Sequence, residues 1–183
     1  TIIIYTSDHG CHFRTRNREY KRACEDSCLR VPMVMAGPGL PAGTVVEDLV
    51  SLIDIPPTIV TGGGGTVPDA FQGAPMQPLW DGTGNADWQT DIYAQISESH
   101  CGRTVRTNRW KYAVAAVDAD RAAAFDTTYR EAFLYDLQAD PWERNNLVAD
   151  PALADVRAEL CERLLARMKQ AQEPDATILP ACD

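Results

Sequence analysis

Asp8-His9-Gly10 is the triplet of this chain best suited to chemistry. A carboxylate oxygen and an imidazole nitrogen from consecutive residues both reach one cation when a strand end holds them. Gly10 lets the backbone turn tightly behind them. The competing reading is a polar turn closed by an Asx-type hydrogen bond. The stretch that follows, His12 to Arg30, carries Arg14, Arg16, Arg18, Lys21, Arg22 and Arg30. Cations so placed can line the pocket of an anionic ligand. His12 adds a second imidazole, the side-chain type most used for general acid work, although structural hydrogen bonding is the role read for it first. The six cysteines, Cys11, Cys24, Cys28, Cys101, Cys161 and Cys182, are too few and too scattered for a disulfide-built mini-protein. Cys24 and Cys28 have no second Cys or His pair at zinc-site spacing. Whether Cys11 pairs with Cys24 or Cys28 stays open.

The elements that must position these residues follow from periodicity and punctuation. Ile2-Ile3-Ile4-Tyr5 predicts a buried strand, and its polar end, Thr6 to Gly10, would face a ligand crevice. The basic segment reads as a loop with a helical turn, and Val31 to Met35 as the next short strand. Asp54 ahead of Ile55-Pro56-Pro57 predicts a helix whose first N–H groups the Asp54 carboxylate accepts, ended by Gly62 to Gly65. From Asp91 onward short strands are expected at 92–96, 104–107, 110–114 and 133–137, with Asn108-Arg109 as a hairpin turn. Asp150, Pro151 and the spacing of Leu153, Val156, Leu160, Leu164 and Met168 predict an amphipathic helix. Trp110, Tyr112, Tyr135 and Trp142 read as core and interface aromatics, Asp136 and Asp140 as turn and cap residues. Three regions are expected: 1–90, a portion of a larger α/β domain; 91–173, a small antiparallel sheet with a packed helix; and 174–183, a tail at the surface.

Composition narrows the partners. The chain has 183 residues, 45% of them apolar, and a net charge of −9 from 17 Lys plus Arg against 26 Asp plus Glu. That balance disfavours nucleic acid and anionic membranes. No apolar run approaches the roughly 20 residues that span a bilayer, so no membrane partner is expected. Thr1 leads straight into the first strand with no signal-like segment, so the chain reads as part of a larger fold.

The ordered segments resemble the sulfatase family of the alkaline phosphatase superfamily along almost the whole chain. They are Ile3 to Gly10; Lys21 with Glu25-Asp26-Ser27 and Arg30-Val31-Pro32; Val50 to Thr58; Gln72-Gly73 with Pro78-Leu79; Arg106 to Tyr112; and Leu134 to Leu137 with Asp140-Pro141-Trp142-Glu143 and Asn146-Leu147. The resemblance implies the C-terminal portion of an alkaline-phosphatase-like mixed sheet, followed by the small antiparallel sheet and its helix. It implies that Asp8 and His9 ligate a divalent metal, calcium first. An imidazole ligand keeps manganese open, because calcium prefers oxygen donors.

Lys21 is implied as a catalytic, sulfate-contacting residue, with Arg22 as its rival, and His12 and His100 as further substrate contacts. An ammonium there would offset charge on the sulfate as the S–O bond breaks. The family's formylglycine nucleophile arises from a Cys- or Ser-x-Pro-Ser-Arg signature, which this chain lacks. Nucleophile, acid histidine and remaining ligands are therefore expected upstream, and the chain alone is expected to be inactive. The implied whole-protein activity is hydrolysis of a sulfate monoester on a small molecule or carbohydrate, in a periplasmic or extracellular setting. The alternatives are a phosphonate or phosphodiester hydrolase of the same superfamily and a non-catalytic binding module. Oligomeric state is not readable.

Overall fold

The computed structural model describes residues 1–83, 87–120 and 123–182. They form two compact units, Thr1–Asp8 with Val31–Ile92, and His9–Arg30 with Tyr93–Asp183.

In the first unit, β1 (Ile3–Thr6) pairs antiparallel with β2 (Met33–Ala36), with Ile3 opposite Ala36 and Tyr5 opposite Val34. The β-branched run does form a strand, but it is not buried as expected: Ile3 is 63% and Tyr5 68% exposed, and Val34 is exposed beside them. A ribbon of two strands gives each only one neighbour, and nothing among the described residues covers that face. Behind it, a 3-10 turn at Leu52–Asp54 leads into α2 (Ile55–Gly62), numbered after a short α1 in the other unit. Asp54 departs from its expected role. Its buried carboxylate reaches back to the Ser51 N–H (2.7 Å) and out to the Ala74 N–H (3.0 Å) and Gln89 Nε2 (2.8 Å), instead of capping α2. It thereby ties three segments together.

In the second unit, β3 (Asp91–Ile96), β4 (Gly102–Thr107), β5 (Trp110–Ala116), β6 (Thr128–Asp136) and β7 (Thr177–Leu179) form one sheet in sequence order. The β4–β5 hairpin sets Arg106 opposite Lys111, and Thr107 Oγ1 accepts the Trp110 N–H (2.8 Å) inside the turn. β6 carries a bulge, since Ala113 faces Phe133 while Val114 faces Glu131. Asn146 services the bulge, accepting the Leu134 N–H (2.9 Å) and donating to the Ala132 carbonyl (2.8 Å).

α3 (Ala154–Gln170) is entered through a 3-10 turn whose Asp150 side chain accepts the Ala152 N–H at 2.9 Å. Leu160, Leu164 and Met168 are buried at four-residue steps, packed with Val105, Tyr112, Val114, Tyr129 and Leu134. After α3 the chain returns as β7, parallel to β6 with Tyr129 opposite Ile178. The 174–183 tail is thus partly a strand, against the expectation of a surface tail, and it makes the sheet mixed. Main-chain pairing holds a segment too short to show periodicity.

The sheet's other face packs Cys24, Ile96, Ala113, Tyr135 and Leu137 with Phe133. The segment 9–30, with its single turn α1 (Asp26–Leu29), supplies that cover. This two-sided burial explains why Lys111, Tyr112, Ala113 and Val114 are all buried in succession. Trp142 is not a core aromatic: it is 75% exposed, and it contributes its carbonyl instead of its ring to the packing of 9–30. No helix among the described residues is long and apolar enough to cross a membrane.

Candidate active-site loop

His9 opens the second unit, and Asp8, its neighbour in the chain, closes a segment of the first. The Gly10 N–H donates to the Cys28 carbonyl at 2.8 Å. A Cβ at position 10 would stand 2.0 Å from the Ser27 carbonyl oxygen. Glycine is therefore required here for close approach to α1, since the residue does not use a left-handed backbone. The ring of His9 is oriented by Nδ1, 2.7 Å from the Gly10 carbonyl. A carbonyl only accepts, so Nδ1 donates; in the neutral ring that leaves the lone pair on Nε2, the form in which imidazole ligates a metal.

Tyr20, which sequence reasoning passed over, brings His9 and Lys21 together. Its ring centroid lies 6.0 Å from that of His9, tilted by 58°, and the Lys21 ammonium stands 5.5 Å from the same centroid. That ammonium has no carboxylate partner among the described residues. Arg22, its rival in sequence, is spent on Glu19 (3.2 Å) and Glu98. The backbone under Lys21 is held from both sides. His12, buried, donates from its N–H to the Tyr20 carbonyl (2.9 Å) and from Nε2 to the Lys21 carbonyl (3.2 Å). Its Nδ1 is buried and has no hydrogen-bond partner among the described residues.

Asn17 Nδ2 and Ser99 Oγ both donate to the Arg22 carbonyl, at 3.3 and 2.8 Å. With its proton so used, Ser99 Oγ accepts from His100 Nδ1 at 3.0 Å. His100 therefore reaches the loop through Ser99. Burial holds its imidazole below the ordinary histidine range, with the charge of Glu25 opposing. Arg14 is exposed in a left-handed backbone after Phe13, whereas Arg16 is committed to the carbonyls of Glu143 (2.6 Å) and Trp142 (2.7 Å).

Beneath the loop lies a buried ionic cluster that the sequence did not disclose. Lys111, fully buried in mid-strand, contacts Asp26 and Glu143, the latter at 2.5 Å. Arg106 adds a second cation on Asp26 at 3.2 Å, and the Asp26 N–H donates to Glu143 Oε2 at 2.6 Å. Glu25 accepts from the Tyr135 hydroxyl at 3.2 Å. The two carboxylates sharing Lys111 move oppositely. Burial raises both, but in Asp26 the charge and hydrogen bonds of Lys111 and Arg106 prevail and lower it, whereas in Glu143 burial prevails and raises it. Asp26 is the more firmly ionised.

Burial also pushes the Cys24 thiol well up, with Glu25 adding, and raises Cys28 and Cys161. None of these three is poised as a thiolate nucleophile. All six cysteines are free. As donor types, Asp8 brings a carboxylate and His9 an imidazole, and the described residues hold no cluster of three or more metal-binding side chains. Two donors fall short of the 6–8 oxygens calcium takes.

A mixed sheet flanked by one helix is a fold shared with known proteins. The family described as N-sulphoglucosamine sulphohydrolase, C-terminal, matches residues 18–170. Arylsulfatase K of Rattus norvegicus is 33% identical over 159 residues, covering 82% of this chain and 27% of that protein. An N-acetylglucosamine-6-O-sulfatase of Bacteroides thetaiotaomicron is 29% identical over 178 residues, covering 96% and 31%. A solved structure in complex with its substrate D-glucosamine-2-N,6-O-disulfate superposes with a TM-score of 0.80 at 28% identity, over 94% of this chain and 35% of that one. The phosphonate monoester hydrolase of Agrobacterium radiobacter superposes with a TM-score of 0.74, also at 28% identity. The chain belongs to the sulfatases of the alkaline phosphatase superfamily, matching their C-terminal part. It spans 27% and 31% of the length of the two curated relatives.

Proposed function

We propose that this region supplies one side of the active site of a sulfatase that hydrolyses a sulfate monoester on a sugar or other small molecule. Lys21 contacts the sulfate, and Asp8 and His9 are two ligands of a divalent metal, calcium first. The observation that carries the reading is the state of Lys21: its ammonium lacks a carboxylate partner among the described residues while its backbone is fixed by His12. Keeping a cation unneutralised on a braced loop prepares it for an anion at no reorganisation cost. The metal supplies further charge neutralisation at a sulfate oxygen. His12 serves by holding Lys21, and His100 bears on the substrate side through Ser99. Formylglycine and the remaining ligands come from sequence outside this chain. A sulfated carbohydrate substrate is supported by the names of the Bacteroides enzyme and of the glucosamine disulfate complex. A periplasmic or extracellular setting goes with the same reading.

The experiment is made in the full-length protein with an aryl sulfate and a sulfated glucosamine. Lys21→Ala is expected to lower kcat/KM by on the order of a hundredfold, as loss of one charge-stabilising donor does, while Arg22→Ala keeps turnover near wild type. Asp8→Ala should lose bound calcium, measured by elemental analysis, together with turnover. Wild-type activity in Lys21→Ala, or retained metal in Asp8→Ala, would sink the respective assignment. The likeness to a phosphonate monoester hydrolase favours a second reading, phosphonate or phosphodiester hydrolysis, which faster turnover of such esters than of sulfates would establish. Absence of all turnover, with the fold intact, would point to a non-catalytic binding module.

A further inference from the structure

Both ends of the Lys21 loop finish on one residue. At its start, Arg16 Nη1 donates to the Glu143 carbonyl at 2.6 Å. At its end, the Asp26 N–H donates to Glu143 Oε2 at 2.6 Å, and Glu143 Oε1 takes Lys111, which also holds the Asp26 carboxylate. Glu143 is itself fixed by its N–H on the Asp140 carbonyl (3.0 Å) and adopts φ +54°, a left-handed backbone that non-glycine residues keep only when their surroundings enforce it. Its side chain is almost fully buried. A carboxylate serving only as counter-ion to Lys111 would need neither the second oxygen on the Asp26 N–H nor the strained backbone that presents the carbonyl to Arg16.

We infer that Glu143 is the positioning residue of the active-site loop: by closing both stems it sets where the Lys21 ammonium stands. The inference rests on the sulfate-contacting role of Lys21. Glu143 touches no substrate and acts through Lys21. Replacing it by glutamine keeps one acceptor for Lys111 but turns the other oxygen into a donor facing the Asp26 N–H, so the second stem opens.

The test is a double-mutant cycle in the full-length protein. Glu143→Gln is expected to lower kcat/KM for a sulfate ester at least tenfold, with bound metal and circular dichroism unchanged. In a Lys21→Ala background the same substitution should cost less than twofold, because the group it positions is already gone. Equal losses in both backgrounds would overturn the inference and leave Glu143 a stabilising residue only, as would no loss at all. Should Glu143→Gln fail to fold, Arg16→Ala cuts the other stem from a half-exposed position, and the same non-additivity is expected of it. If Lys21→Ala alone keeps full activity, the reading of Lys21 fails first and the inference falls with it. If Lys21→Ala is impaired and the cycle is additive, only the inference falls.

Discussion

His100 links the loop to its surroundings through a single hydroxyl, and its protonation is where pH should be felt. Burial lowers its pKa in the folded chain, with Glu25 opposing. The unfolded chain therefore takes up the proton first as pH falls. Stability from the neutral ring is fully present above the unfolded value near 6.5 and is lost as pH drops towards the folded value. Thermal unfolding of His100→Gln measured between pH 7.5 and 5 should show a shallower fall in Tm below about 6.5 than the parent; parallel curves would remove His100 as the cause. At this scale the sequence was partly legible. Asp8, His9 and Lys21 stand out by type and order as candidates, and Gly10 was read for a tight turn, whereas its closeness to Ser27 is what requires it. Lys111 and Glu143 had no role in that reading, because theirs exist only in contacts far apart in the chain: Lys111 and Asp26 are 85 residues apart. Tyr20 was passed over although its partners His9 and Lys21 are near it in sequence.

Elements with a repeating pattern were read well. α3 declares itself through Asp150, Pro151 and an apolar stripe, and its core face is built as the stripe requires. Leu164, fully buried against the sheet, should cost about 2–5 kcal/mol when cut to alanine. Chemical denaturation of the variant checks this, and a loss below about 1 kcal/mol would mean the helix packs more loosely than the burial implies. The segment 9–30 was read as a loop with a helical turn, which α1 bears out, but its packing against the sheet escaped because the segment has no periodicity. Its attachment is made of ion pairs and bonds from side chains to carbonyls, and local pattern reports neither. β5 shows the reverse difficulty. With Lys111 among apolar neighbours it looks solvent-facing on one side, yet the loop buries that side too. β7 was hidden by its length, since three residues cannot show alternation.

For the molecule as a whole, the family is secure and the chemistry is divided. Lys21 has no carboxylate partner among the described residues, and the chain carries no Cys- or Ser-x-Pro-Ser-Arg signature. The 183-residue chain, purified alone and given calcium with 4-nitrophenyl sulfate, should release 4-nitrophenol at the background rate; release above it would place a nucleophile among these residues. The −9 charge does not conflict with the proposed anionic substrate, because the local balance is the reverse: residues 12–30 carry six Lys and Arg against three Asp and Glu.

The closure of residues 16–26 upon Glu143 makes that stretch a ring without a covalent link. The cost of closing such a ring grows only with the logarithm of its length. Exposed residues inside it, such as Arg18, can be exchanged while the two stems, and the sheet below, keep their addresses. Under the proposed reading, specificity would be altered at such exposed positions, with Lys21, braced by His12, and Cys24, packed on the sheet, left in place.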